Sequence, residues 1–207
     1  MLRKIPSLFF SLGLLLGILL ILCSLVPVYD LIQGFSGVER SSGYDKAFLQ
    51  EANLAMRDYL YGYQEHLLIE KDGKSLFGAQ EVFHMAEVRL LFTRLARAAL
   101  VFLLIAILSS HFLKTRLLRD QLFTSLGLLA FLALAGAFFE RAFVLMHRVF
   151  FNNDLWLFPA DSKLITLLPE AFFYYFTLLI LFVFSITSLI LYFIERRYYG
   201  FTSGSRQ

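Results

Sequence analysis

The sequence has a single cysteine, Cys23, in 207 residues, which excludes a disulfide framework and any cysteine-based zinc site. Charge is also scarce. Asp, Glu, Lys and Arg make up 17% of the chain, against roughly 25% in an ordinary soluble domain. The net charge of +3 is too small to draw a polyanion, so nucleic acid is not an expected partner. G-x-S-x-G, H-E-x-x-H, P-loop and D-x-D motifs are all missing, and with them most routes through a serine or cysteine acyl-enzyme. No internal repeat, Gly/Ser linker or low-complexity tract is present. Apolar residues dominate instead: 58% of the chain is hydrophobic, with 24 Phe and 10 Tyr, and the mean hydropathy is +0.68. The expectation is an integral membrane protein whose first partner is the lipid bilayer.

A bilayer core of about 30 Å takes roughly 20 apolar helical residues. Four stretches qualify, at about 7–28, 90–113, 122–143 and 172–194. The first has a basic start in Arg3 and Lys4, but its apolar run is longer than a signal peptide's and no A-x-A site follows. Leu22 before Cys23 is not the small residue that a lipoprotein signal places there, so the segment reads as an uncleaved anchor. With the N-terminus inside, the inner segments carry Arg3, Lys4, Lys114, Arg116, Arg119, Arg196, Arg197 and Arg206 against Asp120 and Glu195. The outer segments carry 11 basic and 14 acidic residues. By the positive-inside rule both termini are cytoplasmic and the bulk outside the bilayer faces outward.

The predicted fold is therefore all-α: one membrane domain over 1–207 with four transmembrane helices and an extracellular cap at about 29–89. In the cap, Phe48, Ala52, Met56, Tyr59 and Tyr63 recur at helical spacing, predicting an amphipathic helix that starts near Ser42 as N-cap. Asp72-Gly73 between apolar ends predicts a small hairpin. From Ala79 a helix runs without Pro or Gly into the second span. A second outer segment at about 147–171 is rich in Phe and contains Trp156; Pro169 and Glu170 suit the start of the last helix. Residues 195–207 form an inner tail, of which 200–207 read as disordered.

Chemistry is sought at the histidines. His111 lies at the inner end of span two, and His66 at the end of the amphipathic helix is by default solvated or capping. His84 precedes span two and His147 follows span three. The joint between these spans, 114–121, is short enough to make them antiparallel neighbours, so both imidazoles belong at one end of the bundle. Glu81 and Glu87 each lie three residues from His84 on one helix face, and a carboxylate so placed can fix its tautomer and raise its basicity. Arg94 and Arg97 fall in the upper bilayer, where snorkelling is the ordinary explanation. Two histidines at matching depth are also compatible with a bis-histidine haem protein, and a docking cap with a non-catalytic tetraspan chaperone or interaction protein. No metal site is expected.

His84-Met85-Ala86-Glu87-Val88-Arg89 resembles the H-M-x-[DE]-V-[KR] stretch of the lipoprotein intramolecular transacylases (Lit) of Gram-positive bacteria. So does His147-Arg148-Val149-Phe150-Phe151-Asn152, continuing through Trp156 to Pro169-Glu170. The resemblance covers essentially the whole chain. It implies an acyltransferase of the cell membrane that acts on diacylglyceryl lipoproteins without cofactor or second substrate. The sn-2 acyl chain of the glyceryl group moves to the α-amine of the lipidated N-terminal cysteine, leaving a lyso-form lipoprotein. On that basis His84 and His147 are the acid–base pair, with Glu87 orienting His84 and Arg89 or Arg148 meeting a developing oxyanion. Tyr29, Phe150, Phe151, Trp156 and Tyr174 are the expected aromatic lining.

Overall fold

The computed structural model describes residues 4–115 and 117–204. Arg3, Arg116 and Arg206, which enter the inner charge tally, lie outside the described residues. The chain is almost wholly helical, and four helices are long and apolar enough to cross a membrane. In order these are α1 (Ile5–Ser24), α5 (Ala79–Leu113), α6 (Leu117–Ala137) and α9 (Glu170–Gly204). Shorter helices α2 (Val26–Ser36), α3 (Val38–Ser42), α4 (Lys46–Tyr61), α7 (Phe139–Phe150) and α8 (Lys163–Leu167) lie between them, with strands β1 (Glu70–Lys71) and β2 (Lys74–Ser75).

Two expected spans are shorter than the apolar runs. The first stops at Ser24, and Leu25 adopts φ −96°, ψ 99° as the N-cap of α2. Pro27 is the cause: it has no N–H for the Cys23 carbonyl and fits only the first turn of a new helix. The Tyr29 hydroxyl donates to the Cys23 carbonyl in its place, at 2.9 Å. Arg57 Nη1 donates to Ser24 O at 3.3 Å and the Tyr61 hydroxyl to Leu20 O, so side chains of α2 and α4 satisfy the end of α1. The third span breaks at Phe138 (φ −120°, ψ 45°), where α7 begins. Gly136 precedes the break, and Glu140 and Arg141 follow it. The α5–α6 joint is also tighter than 114–121, since only 114–116 separate the helices. The tail expected to be disordered continues α9 as far as Gly204.

The chain divides into two compact units. One takes in Leu95–Ala137 with the stretches up to Leu19 and from Leu179 onward. Its apolar helices are joined by a buried polar cluster. Gln121 Nε2 donates to Ser125 Oγ at 2.6 Å and Ser188 Oγ at 2.8 Å, and Ser11 Oγ lies 2.7 Å from Thr124 Oγ1. Such small polar contacts hold helices together where lipid supplies no hydrophobic drive. Gly13 allows α1 and α5 to approach closely, because a Cβ there would lie 2.8 Å from Leu103.

The other unit comprises Leu20–Arg94 and Phe138–Leu178. Its core gathers Phe48, Leu49, Ala52, Met56 and Tyr59 of α4 with Leu67, Ile69, Leu76, Phe77, Met85, Leu164 and Leu167. Each large apolar side chain buried here contributes about 1.5–3 kcal/mol. The helix begins later than Ser42: Asp45 is the N-cap, accepting from Phe48 N at 2.8 Å. Ser42 instead ends α3 and accepts from Tyr44 N. Gly62, left-handed at φ 78°, ends the helix, which leaves Tyr63 outside its face and 74% exposed. His66 lies beyond it and is exposed. The hairpin forms as predicted, with Lys71 opposite Lys74 and positive φ at Asp72 (54°) and Gly73 (72°).

Candidate active site

Helix α5 presents His84 one turn after Gln80 and Glu81, and α7 presents His147 one turn after Phe143. The two imidazoles stack with centroids 6.1 Å apart and planes 25° apart, and they are only 6% and 8% exposed. Phe151 touches both rings, at 4.9 Å from His84 and 5.6 Å from His147. Phe158 meets His84 edge-on at 5.3 Å. Trp156 stacks on His147 at 4.8 Å, and Phe143 packs on His147 at 4.3 Å.

The loop carrying Trp156 is pinned on both sides of that residue. Gln80 Nε2 donates to Leu155 O at 2.9 Å and Leu157 O at 3.2 Å, while Asn153 Nδ2 donates to Glu87 Oε1 at 2.8 Å. Glu81 ties a further segment to α5: its carboxylate accepts from Gly78 N, Ser162 Oγ and Leu164 N. It therefore serves three donors of the protein rather than the tautomer of His84.

The electrostatics oppose the expected rise in basicity. Burial, with a smaller contribution from the neighbouring His147, lowers the His84 pKa from 6.5 to about 4. Burial also lowers the pKa of His147, partly offset by a backbone hydrogen bond. Both rings are thus neutral near pH 7. That backbone bond joins His147 Nδ1 to Phe143 O at 2.8 Å. A carbonyl only accepts, so Nδ1 carries the hydrogen and Nε2 keeps its lone pair. By contrast His84 Nδ1, Trp156 Nε1 and Glu87 Oε2 are buried with no hydrogen-bond partner.

Of the other sequence candidates, Arg89 turns elsewhere: Nη1 donates to Glu65 O at 3.1 Å and the guanidinium lies 4.9 Å over Tyr59. Arg148 is exposed, as are Arg94 and Arg97. Glu87 bonds Asn153 rather than His84. Tyr29 packs on Phe172 and Phe176, Tyr174 on Phe139 and Tyr175, and Phe150 is exposed; none of the three touches an imidazole. Phe143, Phe158, Asn153 and Gln80 join the site without being singled out by the sequence reasoning. The signal for Phe143 is its position four residues before His147, for Gln80 its position four before His84, and for Asn153 and Phe158 the short polar-aromatic stretch 151–158. Among the described residues no group of three or more His, Cys, Asp or Glu side chains forms a metal site.

A search of curated proteins finds no match. The solved structures give three similar chains, all of the membrane integral lipoprotein intramolecular transacylase Lit from Bacillus cereus. One has a TM-score of 0.81 at 19% identity, covering 95% of this chain and 93% of that one. A variant with one histidine replaced by arginine gives 0.80 at 17%, covering 99% and 93%. A variant with a histidine replaced by alanine gives 0.73 at 17%, covering 95% and 91%. These likenesses show a shared multi-pass membrane fold. The family model described as "Lipoprotein intramolecular transacylase Lit" matches residues 4–173, most of the chain. By that match the chain belongs to the Lit family of lipoprotein intramolecular transacylases, and is an acyltransferase.

Proposed function

We propose that this transacylase moves the sn-2 acyl chain of a diacylglyceryl lipoprotein to the α-amine of its N-terminal cysteine, using His84 and His147 for proton transfer. The observation that carries the reading is the stacked imidazole pair, 6.1 Å between centroids, closed in by aromatic rings. The substrate amine arrives as an ammonium, its pKa being about 8. His147 is the base: its Nε2 lone pair takes a proton, and the freed amine attacks the ester carbonyl carbon. The C–N bond forms and the bond to the sn-2 oxygen breaks. That oxygen takes one of the two protons the nitrogen gives up, through His84, and the other passes to solvent. The product is an amide and a lyso-glyceryl group.

Each step uses a neutral imidazole, which supports burial as a functional feature. General acid–base transfer of this type contributes about 10²–10⁴-fold. Donor and acceptor share one molecule, so orienting them contributes as much as about 7–11 kcal/mol. The buried Trp156 N–H, beside His147 and without a partner, is the suitable donor to the developing oxyanion. Neither Arg89, turned to Glu65, nor exposed Arg148 is so placed. Phe143, Phe151, Trp156 and Phe158 supply apolar walls for the glyceride stem. The excess of Lys and Arg in the segments joined to the termini and between spans two and three supports cytoplasmic termini. The site and its helices α2–α4 then face outward as an extracellular cap.

Mass spectrometry of a reporter lipoprotein from cells with and without the gene tests this. Conversion to the N-acyl lyso form only when the gene is present is expected. A diacylglyceryl group on an unblocked cysteine in both samples would reject the assignment. A Soret band in the purified protein would instead favour the bis-histidine haem reading.

A further inference from the structure

Glu87 is an unusual acid. One carboxylate oxygen is held by Asn153 Nδ2 at 2.8 Å, while the other, Oε2, is buried with no partner. The orientation of Asn153 is itself fixed. Its Oδ1 accepts from Leu155 N at 2.9 Å, which forces the amide N–H₂ toward Glu87. Asn153 lies in the chain between Phe151 and Trp156, the residues packed on the imidazoles. Glu87 follows His84 by three residues on the same face of α5. A buried carboxylate oxygen is costly to leave unpaired, and among the described residues none forms an ion pair with it. Arg89 is engaged with Glu65 O and Tyr59. Arg148 and Asp154, on neighbouring elements, are exposed. On the same helix as Glu87, His84 stacks on His147 from α7, and burial keeps both imidazoles neutral.

We propose that Glu87, with Asn153 as its positioning residue, is the subsite that binds the α-ammonium of the substrate's N-terminal cysteine. This rests on the acyl-transfer reading above and adds the group that holds the nucleophile before it is deprotonated. Glu87 Oε2 accepts an N–H bond from the ammonium, which places the nitrogen next to the imidazoles. One ammonium proton then goes to His147 Nε2, and the amine attacks while Glu87 retains a second N–H. The carboxylate favours the charged form of the amine, so binding and deprotonation are set against each other. A primary ammonium is recognised, and an N-acylated product, which has no charge to offer, is released.

The test uses the full-length protein in lipid nanodiscs and an unreactive probe. This is a cysteine peptide carrying a di-ether glyceryl group, prepared with a free α-amine and with an N-acetyl cap. At pH 7 the wild type should bind the free-amine probe on the order of tenfold more tightly or better, the size of one charge-assisted hydrogen bond. Glu87→Gln, which can still accept from Asn153, should lose that preference while binding the acetylated probe as the wild type does. With the diacyl substrate it should raise KM and move the rising limb of the kcat–pH profile to lower pH, because nothing then holds the proton on the amine. Equal affinity of the wild type for the two probes, or a preference that survives in Glu87→Gln, would overturn the subsite. A check independent of any variant is the wild-type preference at pH 10, which should collapse as the ammonium loses its charge. A preference unchanged there also overturns it. Failure of the reading beneath it looks different: the wild type would leave the diacyl peptide unconverted, whatever the probes do.

Discussion

Two buried polar groups within one unit are built in opposite ways. Gln33 and Asn53, at the α2–α4 contact, exchange amide hydrogen bonds at 3.1 and 2.7 Å. Gln33 also donates to Leu167 O at 3.0 Å, and Asn53 to Asp30 at 3.1 Å. All four side-chain polar atoms of that pair are satisfied. Around the imidazoles, His84 Nδ1, Trp156 Nε1 and Glu87 Oε2 are buried and unpaired. A closed network fixes structure, and removing one member leaves the other with a desolvation cost. An open one keeps hydrogen-bonding capacity for something outside the chain. Within this unit the contrast separates polar residues that hold the fold from those here proposed to meet a substrate.

The sharpest way to break this comparison is His147→Asn, which should lower turnover by about 10²–10⁴-fold, the worth of a lost general base, in a protein that still inserts and unfolds as the wild type does. Loss of insertion together with activity would place His147 with the structural group. Next, Trp156→Phe keeps an aromatic ring, though a smaller one, but deletes the N–H; kcat should fall by roughly 10²-fold, as on loss of one oxyanion donor, with KM little changed. An unaltered kcat would make Trp156 a wall only. In the closed network, Asn53→Ala should cost about 1–3 kcal/mol of stability by orphaning Gln33, read by thermal unfolding, with activity per folded molecule preserved.

Acid should divide the two groups as well. The folded His84 pKa of about 4 lies below its ordinary 6.5, so below 6.5 the unfolded chain binds a proton that the folded one does not. Stability associated with this ring is therefore complete above pH 6.5 and declines as pH falls toward 4. His84→Gln should flatten that part of the melting profile, and a profile identical to the wild type's would contradict a buried neutral imidazole. Smallest of all, Asp45→Ala should cost about 1 kcal/mol as a lost helix cap, without touching turnover.

How much of this is legible in the sequence depends on whether a periodic signal exists. The buried face of α4 and the Asp72-Gly73 hairpin are readable because spacing and turn chemistry encode them. The start of α4 is ambiguous in the sequence since Ser42 and Asp45 are both good caps, and only the left-handed Gly43 between them decides. The break at Leu25 falls inside an apolar run with no polar face to show a change of direction, and Pro27 is its local clue; at Phe138 the clues are Gly136 before it and Glu140 and Arg141 after it. Running the third span through Phe138 also hid Phe143. The convergence of His84 and His147 follows from antiparallel spans, but their partners do not. Glu81 and Glu87 are both within reach of His84 on a helical wheel, and tertiary contacts alone send each elsewhere.

The most direct test is a single-turnover assay with a synthetic diacylglyceryl cysteine peptide and purified wild-type, His84→Asn and His147→Asn proteins, matched for thermal unfolding. The account predicts that only the wild type shifts the acyl chain from the glyceryl oxygen to the cysteine nitrogen. Wild-type-like conversion by either substituted protein would contradict a reaction carried by the facing imidazoles.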